Sequence, residues 1–126
     1  MSGKLILVVD DDDATQLLMR RYLQALGLIA LTAGNGEQAL ELLHQYPGEV
    51  RLVLVDLAMP HMNGFELAEI IRADPALADL PLVALTARVG PEIDARAIQA
   101  GINQIIRKPF EPARLRALLT ELSLLA

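Results

Sequence analysis

The sequence predicts a doubly wound α/β domain built from five β-α units, on three observations. Three continuous apolar runs recur along the chain: LILVV (5–9), RLVLV (51–55) and PLVALT (81–86). Apolarity without alternation is the mark of strands buried on both faces, as in a parallel sheet covered by helices. Segments with helical spacing of apolar residues lie between the runs, and glycine or proline marks several of their ends.

Each element can be argued in order. Strand 1 is residues 5–9. The helix of residues 14–26 places Leu18, Tyr22 and Leu26 on one stripe, with Met19 and Leu23 beside it. Gly27 stops it. A weaker apolar run, LIALTA (28–33), is strand 2, followed by a helix over 36–45 with Ala39, Leu40 and Leu43 inward. Strand 3 is 51–55, and the helix of 64–73 offers Leu67, Ala68 and Ile71. Strand 4 is 81–86. Pro91 suits the first turn of a helix over 91–100, which offers Ile93, Ala97 and Ile98 before Gly101 ends it. QIIR (104–107) is strand 5. A second proline start, Pro112, opens a helix over 112–124 carrying Leu115, Leu118, Leu119 and Leu122.

Right-handed crossovers leave few arrangements for such units, and the expected parallel sheet has the order 2-1-3-4-5. No repeat, low-complexity tract or linker interrupts the chain, so residues 1–126 are expected to form one domain. Hydrophobic residues make up 53% of it and aromatics only 3%, so leucine, isoleucine, valine and alanine must build the core.

Composition also narrows the function. A net charge of −5 disfavours direct nucleic-acid binding, which needs a basic face. With no cysteine, disulfides and thiolate metal sites are excluded. The apolar run after Lys4 is too short for a signal peptide, and none approaches the ~20 residues of a membrane helix. A soluble, cytoplasmic protein without membrane contact is expected.

Ligands of doubly wound sheets bind beyond the carboxyl ends of the strands, near the reversal of strand order. Strand 1 ends in Asp10 and Asp11, strand 3 in Asp56, strand 4 in Thr86 and strand 5 in Lys108. Strand 2, at the sheet edge, ends in TAGN. Converging carboxylates form a hard oxygen site suited to Mg²⁺. An aspartate can also attack phosphorus to form an aspartyl phosphate. A lysine and a threonine hydroxyl can hold phosphoryl oxygens. Together these are the parts of a phosphoryl-transfer site that works by positioning and electrostatics. Asp12 and Asp13 are better explained as helix caps, where a carboxylate meets free backbone amides. His44 and His61 are expected on the surface, and Met59 and Met62 around the loop after Asp56.

The chain resembles the receiver domains of two-component response regulators, the CheY-like family with the flavodoxin-like fold. The resemblance spans nearly all of the sequence. Its motifs are VVDDD (8–12), LVLVDLAMPHMNGFEL (52–67), LTA (85–87) and KPF (108–110), in this order and at strand ends. The chemotaxis regulator is itself a standard example of the 2-1-3-4-5 order, so fold and family are one expectation rather than two. The resemblance implies that Asp56 is the phosphoacceptor. It implies that Asp11 binds Mg²⁺ directly, Asp10 through water, and that the Ala58 carbonyl is a further ligand. It implies that Thr86, Lys108 and the Ala87 amide contact the phosphoryl group, and that the Lys108–Pro109 peptide is cis. A sensor histidine kinase or a histidine phosphotransfer protein would be the donor. An effector would read the face of helix 4, strand 5 and helix 5, on a monomer or weak dimer. The chain would be a signalling domain, not an enzyme, beyond self-phosphorylation from small donors and autodephosphorylation.

Four positions depart from the family pattern. Ile105 replaces the usual aromatic of strand 5, and Asn63 stands where aspartate is common. Ala58 and Arg88 occupy positions that tune dephosphorylation in relatives. Two other readings compete. DDDAT (11–15) satisfies the D-x-D-x-T pattern of haloacid-dehalogenase-like phosphatases, but only the isolated Glu111 and Glu121 follow Lys108, and Asp56 would have no role. A degenerate receiver, acting only as an interaction module, would not need all five site residues.

Overall fold

A computed structural model describes residues 4–59, 62–88 and 90–125 of the chain. Its elements alternate from end to end: β1 (Leu5–Val9), α1 (Asp13–Ala25), β2 (Ile29–Ala33), α2 (Gly36–Gln45), β3 (Val50–Asp56), α3 (Gly64–Ala73), β4 (Leu82–Thr86), α4 (Pro91–Ala100), β5 (Gln104–Arg107) and α5 (Pro112–Glu121). The strands form one parallel sheet in the order β2-β1-β3-β4-β5, as the sequence predicts.

The two-residue alternation of strands divides the core into two layers. Leu7, Val9, Val53, Val55 and Ala84 share a core with Ala39 and Leu43 of α2, Leu67 and Ile71 of α3, and Ile93 and Ala97 of α4. Ile6, Val8, Leu52, Leu54, Val83, Leu85 and Ile106 pack with Met19 and Leu23 of α1 and with Leu115, Leu118 and Leu119 of α5. Leu54 lies fully buried between its neighbours, so Leu54→Ala would cost about 2–5 kcal/mol. Both faces of the central strands are dry, which is why their sequences do not alternate.

Several boundaries and faces differ from the sequence expectation. On α1 the buried stripe is Met19 and Leu23, whereas Leu18 is 47% exposed. Helical spacing identifies neighbouring stripes but not which of two adjacent ones meets the sheet. Ile98 of α4 is likewise 74% exposed. Helix α5 ends at Glu121 rather than 124: Ser123 takes φ 62°, and the Leu124 N–H returns to the Leu119 carbonyl at 2.8 Å. That turn buries Leu124 in the core of α1 and α5. Among the described residues, no helix is long and apolar enough to cross a membrane.

The amino-terminal end of the sheet is braced by Arg72 of α3. Its Nε donates to Gly101 O at 2.9 Å, Nη1 to Ala78 O at 2.8 Å and Leu80 O at 2.7 Å, and Nη2 to Asn103 Oδ1 at 2.9 Å. The same Asn103 oxygen accepts from Leu82 N at 2.8 Å, at the start of β4. Gly101, in the left-handed region at φ 90°, leaves room for this: a Cβ there would lie 2.6 Å from Arg72 Cγ.

Candidate functional site

At the other end of the sheet, the carboxyl ends of β1, β3, β4 and β5 converge. Asp10 directly follows β1 and is 1% exposed. Its Oδ1 accepts from Asp12 N at 2.9 Å, and its Oδ2 pairs with Lys108 Nζ at 3.0 Å. Asp11, next along, is exposed. Asp56 closes β3, with its side chain 13% exposed. Carboxylate oxygens of Asp10, Asp11 and Asp56 lie within 4.8 Å of one another.

Local sequence explains why Asp56 stands where it does. Gly64, the first residue of α3, lies so close to the strand end that a Cβ would be 2.5 Å from Asp56 O and 2.9 Å from Leu57 Cα. Asn63 caps α3 in a reciprocal box with Glu66, its Oδ1 accepting from Glu66 N at 2.9 Å. Met59 is buried and Met62 half-buried, and Met62 packs against Gly36 at the start of α2. Met59 thus joins the core beside β3, and Met62 packs toward α2.

Burial holds the Asp56 carboxyl above the ordinary aspartate range, and the nearby Asp10 and Asp11 push the same way. The Ala58 N–H, 3.1 Å from Asp56 Oδ1, and the Lys108 ammonium oppose the shift without cancelling it. Asp56 Oδ2 is 3.8 Å from Lys108 Nζ. Three carboxylates thus face one ammonium, a cluster short of positive charge. Its donors are all hard oxygens, which suit a hard cation such as Mg²⁺. Asp12 does other work. It caps α1 through Thr15, at 3.3 Å to the amide and 2.7 Å to the hydroxyl, and these bonds lower its pKa.

Thr86 ends β4 and is 2% exposed. Its Oγ1 accepts from Arg88 N at 3.0 Å, which leaves the hydroxyl hydrogen free to donate elsewhere. The Lys108 backbone N–H donates to Thr86 O at 2.8 Å, so β4 and β5 deliver their two side chains together. The Lys108–Pro109 peptide is cis, as the resemblance implies. Ala58 and Ala87 are exposed beside the strand ends. His44 pairs with Asp74 at 3.0 Å, away from the cluster, and His61 lies outside the described residues.

Two contributors were not read from the sequence. Gly64 had a visible signal, a glycine opening a helix directly after a capping asparagine. Gln16 had none. Its Nε2 donates to the backbone oxygen of Asp10 at 2.6 Å, a contact set by how α1 lies on the sheet.

Comparison with known proteins agrees with the geometry. A family model described as the response regulator receiver domain matches residues 6–120. A chemotaxis protein CheY homolog of Campylobacter jejuni is 35% identical over 112 residues, covering 88% of this chain and 85% of that protein. The solved chemotaxis protein CheY4 of Vibrio cholerae superposes with a TM-score of 0.89 at 26% identity, over 96% of this chain and 99% of its own. The receiver domain of sensor histidine kinase PA1611 of Pseudomonas aeruginosa gives 0.86 at 28% identity, over 95% and 97%. That structure carries a magnesium ion coordinated in its active-site cleft.

Proposed function

Since this chain belongs to the response regulator receiver domain family and is a receiver of two-component signalling, we propose that Asp56 is its phosphoacceptor and that Asp10, Asp11, Asp56 and the Ala58 carbonyl hold Mg²⁺. The observation that carries this reading is the convergence of three carboxylates and Lys108 at the mouth of one sheet. The receiver unit runs over residues 1–126: Leu124, beyond the matched span, is buried in the core, and its carbonyl accepts from Lys4 Nζ at 3.1 Å.

The donor is a phosphohistidine of a sensor histidine kinase or histidine phosphotransfer protein. Asp56 Oδ1 is engaged by the Ala58 amide, which leaves Oδ2 to attack phosphorus. The new O–P bond forms as the donor's P–N bond breaks, and the imidazole leaves with the bonding electron pair. An ordinary aspartate titrates near 3.9, far below neutral pH, and a bound cation would further favour the ionised form that attacks. Bound Mg²⁺ would offset the repulsion between the carboxylates and the incoming phosphoryl oxygens. Lys108 turns its ammonium to one of those oxygens; the Thr86 hydroxyl and the Ala87 amide donate to the others. The effector surface is the face of α4, β5 and α5, where Ile98 stands exposed. We take the domain to be cytoplasmic and a monomer or weak dimer.

A phosphatase of the haloacid-dehalogenase type is not favoured. Within DDDAT the Thr15 hydroxyl is spent on the Asp12 cap, and the pattern gives no role to Asp56, which stands beside Asp10, Asp11 and Lys108. Intact-mass measurement after incubation with acetyl phosphate tests the proposal. One phosphoryl group is expected on the wild type with Mg²⁺, and none without the metal or on Asp56→Asn. Equal labelling of Asp56→Asn would refute it.

A further inference from the structure

Asp10 is the most enclosed of the three clustered carboxylates, and both its oxygens are engaged, by Asp12 N and by Lys108 Nζ. A carboxylate pinned at both oxygens moves with its own main chain. What fixes that main chain is therefore part of the site.

The last β1–β2 pair is Val9 with Ala33. One residue on, the Asp10 N–H still reaches Ala33 O at 3.0 Å. The Asp10 carbonyl faces the same side, but β2 has ended, and Asn35 already caps α2. No strand amide remains to satisfy it, and a buried carbonyl needs a partner. Gln16 supplies one from α1. Its Nε2 lies 2.6 Å from Asp10 O and 3.3 Å from Ala33 O. Both neighbours are acceptors, so only the NH₂ side of the carboxamide can face them. Gln16 is itself anchored, since its backbone N–H makes an early bond of α1, to Asp12 O at 3.1 Å.

We propose that Gln16 is a positioning residue of the metal site: its carboxamide clamps the ends of β1 and β2 and so holds the Asp10 carboxylate at the spacing a Mg²⁺ ion requires. The inference rests on the reading of Asp10, Asp11 and Asp56 as that site. Partners outside the direct ligands commonly set metal affinity in this way. Gln38 of α2 provides an internal control. Its Oε1 accepts from Gly34 N at 2.8 Å, bracing the same β2 end, and it makes no bond to Asp10.

The test is a calorimetric titration with magnesium chloride alone, without phosphoryl donor, on wild type, Gln16→Met and Gln38→Met, with thermal midpoints for each. Methionine keeps the length and packing of glutamine and removes its hydrogen bonds. Gln16→Met is expected to weaken Mg²⁺ binding by about tenfold. Gln38→Met should stay within about twofold of wild type even where its thermal midpoint falls as far. Gln16→Asn, which keeps the carboxamide but draws it back by one methylene, should also lose affinity and serves if the methionine variant does not fold. Equal affinity of wild type and both Gln16 variants overturns the inference and leaves the site assignment standing, as does an equal loss in Gln38→Met. A wild type that binds no Mg²⁺ overturns both.

Discussion

The Lys108 ammonium is bonded to Asp10, at 3.0 Å, and stands farther from Asp56, at 3.8 Å. It therefore neutralises the buried member of the cluster rather than Asp56. Removing one partner of a fully buried pair costs about 3–5 kcal/mol; Lys108 is 26% exposed, so Lys108→Met should cost about 2 kcal/mol. Adding Mg²⁺ should restore part of that loss by supplying the missing positive charge. Thermal unfolding with and without magnesium checks this, and a variant as stable as wild type in metal-free buffer would count against it.

Adjacent aspartates should behave differently. Asp12→Ala removes the α1 cap and should cost about 1 kcal/mol of stability with Mg²⁺ affinity nearly intact. Asp11→Ala should do the reverse, abolishing most metal binding at little structural cost, because Asp11 is exposed. Metal titration and urea unfolding of the two variants separate the effects. A larger affinity loss in Asp12→Ala would place the metal ligands one residue later.

Ile105 sits half-buried on β5, where the family resemblance implies an aromatic that swings toward the threonine of β4. A β-branched side chain has restricted χ1 freedom and cannot sweep that arc. The response to phosphorylation should instead run through the β4–α4 connection and α4. There Arg107 already spans the parts: it donates to Asp94 of α4 at 2.7 Å and to the Arg88 carbonyl at 3.0 Å. NMR of the free and beryllofluoride-bound protein should show backbone shifts across residues 86–98 with the Ile105 rotamer unchanged. A clear rotamer flip at Ile105 would contradict this.

Acid stability should depend on a pair remote from the site. The His44 ring, then the Ala76 N–H, hold the Asp74 carboxyl below its ordinary range. A carboxyl with a depressed folded pKa stabilises above its unfolded value, near 3.9, and that contribution disappears as pH falls through the folded value. Asp74→Asn should therefore lower the pH 6–7 plateau modestly and lose less on acidification, so that the two curves converge as pH falls below about 4. Urea midpoints between about pH 3 and 7 would show it; parallel curves for the two proteins would rule it out.

The strands and the ends they present were legible in the sequence because burial on both faces leaves an unbroken apolar run. Asp10, Asp56 and Thr86 were legible because each sits at the end of such a run, and Lys108 because it directly follows the shorter QIIR of β5. Helix faces were less so. Leu18 and Met19 are adjacent and equally apolar, and only the docking of α1 on the sheet buries one and exposes the other. Arg72 and Gln16 were not legible at all. Each acts on carbonyl groups brought near by the tertiary fold, and a carbonyl has no letter of its own in a sequence.

Arg72 gathers acceptors from the α3–β4 and α4–β5 connections at the rim of the sheet opposite Asp56. Drift at that rim changes how much of the population is folded, and drift at the other changes who the domain answers to. Substitutions in the carboxyl-end loops should thus alter the site while one arginine far from them keeps the scaffold folded.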